Sequence, residues 1–354
     1  MPIFDQGYQH WSGALAGHAW RWLAVTRHGV RVGMKGRLLR LVLLVAWLPA
    51  IVLVFALCLW GLLERNSDAI ATFLPMLRGI LNPEMIAGPR DFRVVFWTLG
   101  FRFFLQVELW FAMILVLLVG PNLISQDLRY NALPLYFSRP LRRIDYFLGK
   151  LGVIVAFVGM VMIVPSIAAY VLGMLFSLDI TIVRDTLGLL LAVIAYGLVI
   201  AVSAGMLVLA LSSLSRNSRY IALLWLGIWF VSGITATVLD EVDRQQRMHE
   251  AGQPGSFLRS SEVAAAELEA AKTNWRPLVS YATNLERIGQ ELLGTDACWE
   301  RLAQLQPLGQ RDVFLSANFG LRYPWYWSAA VLAALLGLSA CILKYSIKSL
   351  DRLK

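Results

Sequence analysis

Six runs of about twenty nearly uninterrupted apolar residues recur along this chain, and a run of that length crosses the hydrocarbon core of a bilayer as a helix. They fall at 41–63, 97–123, 151–176, 187–213, 220–239 and 325–347. In lipid, backbone polar groups must be satisfied within the structure, which leaves only helices and closed barrels. The runs lack the period-two alternation of a barrel strand. The expected fold is therefore an all-α membrane protein with six transmembrane helices. Composition agrees, because 58% of the residues are hydrophobic and only 16% charged, against about half and about a quarter in soluble domains.

Charge sets the sidedness. The segment before the first run, the loop between the second and third, the turn between the fourth and fifth, and the tail together carry 17 of the 32 basic residues and four of the 23 acids. Basic residues in short loops mark the cytoplasmic face, so both termini are expected there, in the inner membrane of a cell. The net charge of +9 expresses that sidedness. Its division among separate loops, with no basic folded domain, gives no case for nucleic acid. The long basic stretch before the first apolar run also argues against a cleavable signal.

Four regions follow. Residues 1–40 form a basic cytoplasmic segment in which Trp11, Leu15, His18, Trp22 and Val25 recur at helical spacing, which predicts an amphipathic helix lying in the headgroup layer. Residues 41–239 hold the first five spans, with a loop at 124–150. Residues 240–324 read as a small helical domain outside the membrane, with helices over SSEVAAAELEAAKTNW and YATNLERIGQELLG, the second ended by Gly294. Residues 325–354 form the sixth span and a basic tail.

Catalytic patterns are missing. There is no phosphate-cradling G-x-x-x-x-G-K-[ST] loop, no H-E-x-x-H, no C-x-x-C and no G-x-S-x-G. Cys58, Cys298 and Cys341 lack metal-ligand spacing, and the four histidines are scattered. No catalytic, cofactor-binding or metal-ligating residue is therefore assigned. Within the second apolar run stand Arg102 and Glu108. An ionisable side chain near mid-depth is costly. Glu108 reads equally as a polar point on a translocation route or as a carboxyl that holds the bundle in register.

The loop between the second and third runs reads NLISQDLRYNALPLYFSRPLRRIDYFLGK, from Asn122 to Lys150. Ile124, Ser125 and Asp127 place an aliphatic residue, a small residue and an acid at the end of the second span. Leu133 and Leu135 fall in a short amphipathic stretch. Ser138, Pro140, Leu141, Arg142 and Arg143 come next, and Gly149 and Lys150 close the loop at the third span. In this ordered series the chain resembles the permease subunits of type-two ATP-binding-cassette (ABC) exporters. It departs from the usual pattern where Asp127 replaces a glutamate, Asn131-Ala132 replaces a glycine–threonine pair, and Pro134 interrupts the short helix.

The resemblance implies a permease worked by a separate ABC-type ATPase subunit, which would bind the ATP and magnesium, and a second permease subunit, identical or related. Asp127 and Arg129 would then pair with charges on the ATPase, and Leu133, Leu135 and Tyr136 would fill a groove in it. Ser138, Arg139, Pro140 and Leu141 would complete and turn that element. Arg142, Arg143 and Lys150 would anchor its far end to anionic lipid, at about 1 kcal/mol per basic residue. Because the second and fifth spans approach the pore in this family, Glu108, Phe111, Leu115, Trp229 and Ile234 become candidates for the translocation path. Two rivals remain at this point: a stand-alone transporter or membrane enzyme built on Glu108, and a membrane anchor or sensor that recognises its ligand through 240–324.

Overall fold

The computed structural model describes residues 20–133, 136, 142–177, 181–250, 261–318 and 320–351. Among them, six helices are long and apolar enough to span a membrane: Arg37–Glu64, Arg93–Arg129, Arg143–Ser177, Thr181–Leu214, Ser218–Arg247 and Trp325–Ser346. No strand occurs among the described residues. The protein is an all-α, multi-pass membrane protein. Consecutive spans run in opposite directions, so one end of the bundle carries the loop after Arg129 and the other carries the segment before Trp325.

The helices are longer than their apolar runs, and their interruptions have local causes. The first span is built from Arg37–Val45 and Leu48–Glu64, with Pro49 in the first turn of the second piece, where a missing amide hydrogen goes unnoticed. The third breaks at Met162, and Pro165 again lies in the first turn after the break. A π-helical turn, Gly227–Val231, interrupts the fifth.

Pro121 lies within the second span, Arg93–Arg129, and does not break it. The fourth span places a hydroxyl against the turn that follows it. Ser212 Oγ donates to the Pro121 carbonyl at 3.0 Å and accepts from the amides of Ile124 and Ser125 at 3.1 and 3.0 Å. Ser125 is fully buried and donates its own hydroxyl to the Pro121 carbonyl. The small residue ahead of Asp127 thus sits where two helices meet closely.

The helix Arg21–Gly33 packs along the start of the third span. A Cβ on Gly149 would lie 2.5 Å from Val25 Cβ, and one on Gly152 would collide with the Thr26 hydroxyl. That hydroxyl donates to the Gly149 carbonyl at 2.9 Å. The described part of the amino-terminal helix is thus held by protein along one face, while Trp20 is exposed. Trp11, Leu15 and His18 lie outside the described residues.

Part of the segment 240–324 packs into the bundle. Its helices include Ser261–Thr273, Tyr281–Leu293, Thr295–Ala303 and Arg311–Asn318. The second of these ends at Gly294, as the sequence predicts, with the glycine in the left-handed region at φ 65°. It also enters the bundle. Tyr281 shares a hydrogen bond of 2.9 Å with Ser203 of the fourth span, and its ring lies 6.0 Å from that of Trp225 in the fifth. Ser203 is about 33 Å along its helix from Thr181 at 1.5 Å per residue, so Tyr281 lies deep between the spans. Tyr281 and Leu285 join the contiguous core formed by the spans. An amphipathic helix with charges at Glu286 and Arg287 looks like a surface element, which is why the pattern alone leaves it outside.

Candidate functional site: the loop joining the second and third spans

Asp127 lies in the last turn and a half of the second span, and Lys150 lies two turns into the third. The fold brings them together. Lys150 Nζ is 2.6 Å from Asp127 Oδ2, with the two side chains 12% and 15% exposed. Tyr146, one helical turn before Lys150 and 1% exposed, donates its hydroxyl to the same carboxylate oxygen at 2.6 Å. Tyr136 packs against Tyr146 at 5.4 Å between ring centroids. The Lys150 ammonium lies 5.9 Å from the Tyr136 ring centre and 5.3 Å from that of Tyr146, within the range of cation–π attraction. Burial, and secondarily the Asp127 charge, raise the Tyr136 phenol above its ordinary range.

This arrangement changes the roles expected of two residues. Asp127 was assigned to a partner's charge and Lys150 to lipid, yet here each neutralises the other. The pair clamps together the helices on either side of the loop. Tyr146 is the member that sequence reasoning missed. The available signal was its i,i+4 spacing from Lys150, which puts both on one helix face. Asp145 takes another part of the job, accepting from the Arg142 amide at 3.2 Å to cap the third span.

Of the remaining loop residues, Leu133 is buried, Tyr136 is half-buried, and Arg129, Arg142 and Arg143 are exposed. Leu135, Ser138, Arg139, Pro140 and Leu141 lie outside the described residues. Among the described loop residues the exposed charged side chains are all basic, and the carboxylates of Asp127 and Asp145 each have a partner within the chain.

The candidates for a translocation path are not gathered on one surface. Glu108 is fully buried, and neither carboxylate oxygen has a hydrogen-bond partner among the described residues. Leu115 is buried beside it on the second span, and Phe111 is half-buried. Trp229 is buried in the π-helical turn against Trp110 at 5.2 Å, whereas Ile234 is 60% exposed. Arg102 does not pair with Glu108. It bonds Glu286 of the inserted helix at 2.8 Å, and Gln106 bonds the same carboxylate at 3.1 Å.

At the opposite end of the bundle lies a charge network that the apolar runs concealed, because both principals stand just outside them. Arg93 makes paired bonds of 2.9 and 2.8 Å to the two oxygens of Glu64. Trp60 and Ser177 also donate to Glu64, and Arg93 reaches Thr181 and Asp185 at 3.0 and 3.4 Å. The first four spans are tied together there. Among the described residues there is no group of three or more His, Cys, Asp or Glu able to hold a metal ion.

Compared with curated proteins, the chain has no significant match. A family model does match, described as ABC-2 family transporter protein and extending over residues 37–343. That span leaves out residues 1–36, with the helix Arg21–Gly33, and the end of the sixth helix, and includes the whole clamped loop. Membership implies in general an ABC ATPase partner and a dimeric arrangement of permeases. The chain belongs to the ABC-2 family of transporter proteins and is a membrane permease component of an ABC transporter.

Proposed function

We propose that this permease is the membrane half of an exporter and receives work from a separate ATPase subunit through the loop 124–150. In this reading the loop faces the cytoplasm, both termini lie on that side of an inner membrane, and a second permease, identical or related, completes the pathway. The single observation that carries the proposal is the Asp127–Lys150–Tyr146 clamp. A push on a loop whose two flanking helices are locked together moves the second and third spans as one body. The loop's resemblance to exporter permeases supports the outward direction. Arg129, Leu135, Tyr136 and the Ser138–Leu141 stretch provide the docking surface, Leu133 is buried beneath it, and Arg142 and Arg143 hold its far end near anionic headgroups. ATP and magnesium belong to the partner.

The test is purification of the tagged chain from its own host in mild detergent, with mass spectrometry and an ATP-hydrolysis assay. The expected result is a phosphate-loop ATPase in stoichiometric amount, lost when Arg129 and Leu135 are replaced by glutamate. A folded chain that emerges alone from several detergents would remove the docking role and leave the arginines as topology and lipid anchors.

A further inference from the structure

Between the first and second spans lies a groove of about 680 Å³, within the range of about 300–1,000 Å³ typical of small-molecule sites. Between the spans it is lined by Leu53 and Ala56 of the first and by Gly100, Phe103 and Val107 of the second, without a polar side chain. Its mouth opens along the outside of the membrane-spanning helices, where Val52, Phe103 and Val107 are 67%, 56% and 43% exposed. At the end nearer the 240–324 segment, Trp299 and Phe314 roof it, and the polar residues Asn82 and Gln306 enter its lining.

A cation stands at that same end. Arg311 donates to the carbonyls of Gln306, which lines the groove, and of Gln304, at 3.3 and 3.2 Å. An apolar slot along membrane-spanning helices, with amide groups and a guanidinium at one end, has the polarity of a phospholipid, whose phosphate would meet Arg311.

We infer that the groove holds one acyl chain of a bilayer phospholipid, with its headgroup on the rim formed by Asn82, Gln306 and Arg311. The site is independent of whether an ATPase docks on the loop at the other end of the bundle.

The experiment uses the purified transporter in lipid nanodiscs containing phosphatidylethanolamine with a diazirine in one acyl chain. After irradiation, adducts are mapped by mass spectrometry. They are expected to concentrate on the peptides bearing Leu53–Ala56 and Phe103–Val107, above those at Leu172–Leu175, an exposed stretch of the third span away from the groove. Ala56→Phe is expected to abolish the groove adducts and leave those at Leu172–Leu175 unchanged. If that variant does not fold, Val52→Trp obstructs the mouth from an already exposed position and should give the same loss. Equal labelling of groove and reference peptides would mean ordinary boundary lipid and overturn the site. So would a disulfide from Ala56→Cys to the same position of a second copy, because protein would then cover the groove.

Discussion

Glu108 and Asp127 are both carboxyls on one helix, and their surroundings give them opposite energetics. Asp127 has a cation and a hydroxyl at 2.6 Å. Removing one partner of such a pair strands the other, at a cost of up to about 3–5 kcal/mol when burial is complete. Lys150→Met is therefore expected to lower the melting temperature in detergent more than the double variant Asp127→Leu, Lys150→Met. A double-mutant cycle on thermal unfolding should give a coupling of about 0.5–3 kcal/mol. Additive effects would show that the contact contributes nothing. Glu108 has no described partner and no exposure, and an unsatisfied buried polar group costs about 1–3 kcal/mol. Glu108→Leu is expected to match or exceed the wild-type melting temperature. If it does so while ATP hydrolysis by the assembled transporter falls, the carboxyl serves transport and not the bundle's register.

The contact between the amino-terminal helix and the third span depends on absent side chains. Gly149 and Gly152 face Val25 and Thr26 so closely that an added methyl group must displace the helix. Overpacking of this kind costs about 1–3 kcal/mol. Gly152→Leu is expected to release the helix Arg21–Gly33, read as faster protease cleavage near Arg27 and Arg31 with the six spans intact. Unchanged cleavage would mean that the bilayer, and not the third span, holds it. The second and fourth spans meet by a different device, the Ser212 hydroxyl, which bonds the Pro121 carbonyl and the amides of Ile124 and Ser125. Its position, immediately before Ile124, Ser125 and Asp127, gives the loop a firm base.

For the molecule as a whole, the two ends of the bundle are built differently. At the loop end the Asp127–Lys150 clamp joins the second and third spans, and Ser212 joins the second to the fourth. The opposite end is tied by Glu64 and Arg93 across four spans and plugged by the inserted helix Tyr281–Leu293. Arg93→Leu leaves the Glu64 carboxylate buried without its counter-charge, with Trp60 and Ser177 still donating to it, and a loss of about 3–5 kcal/mol is expected. It should be measured as lower yield and melting temperature, with Glu64→Gln added to recover part of it. If Arg93→Leu melts like wild type, the network is not what holds these spans.

Length and hydropathy alone determined the class of this protein, because nothing but a helix satisfies its own backbone in lipid and six stretches are long enough. The order of residues from Ile124 to Lys150 pointed to the family, since that element is local and its spacing survives in the linear chain. The fate of individual charges was decided only by tertiary structure. Whether Lys150 meets lipid or Asp127, and whether Arg102 meets Glu108 or Glu286, depends on which helices become neighbours, and apolar runs carry no record of that. The insertion of Tyr281–Leu293 was hidden for the same reason. Its polar residues look solvent-exposed until Arg102, Gln106 and Ser203, contributed by distant helices, supply the partners that make burial affordable.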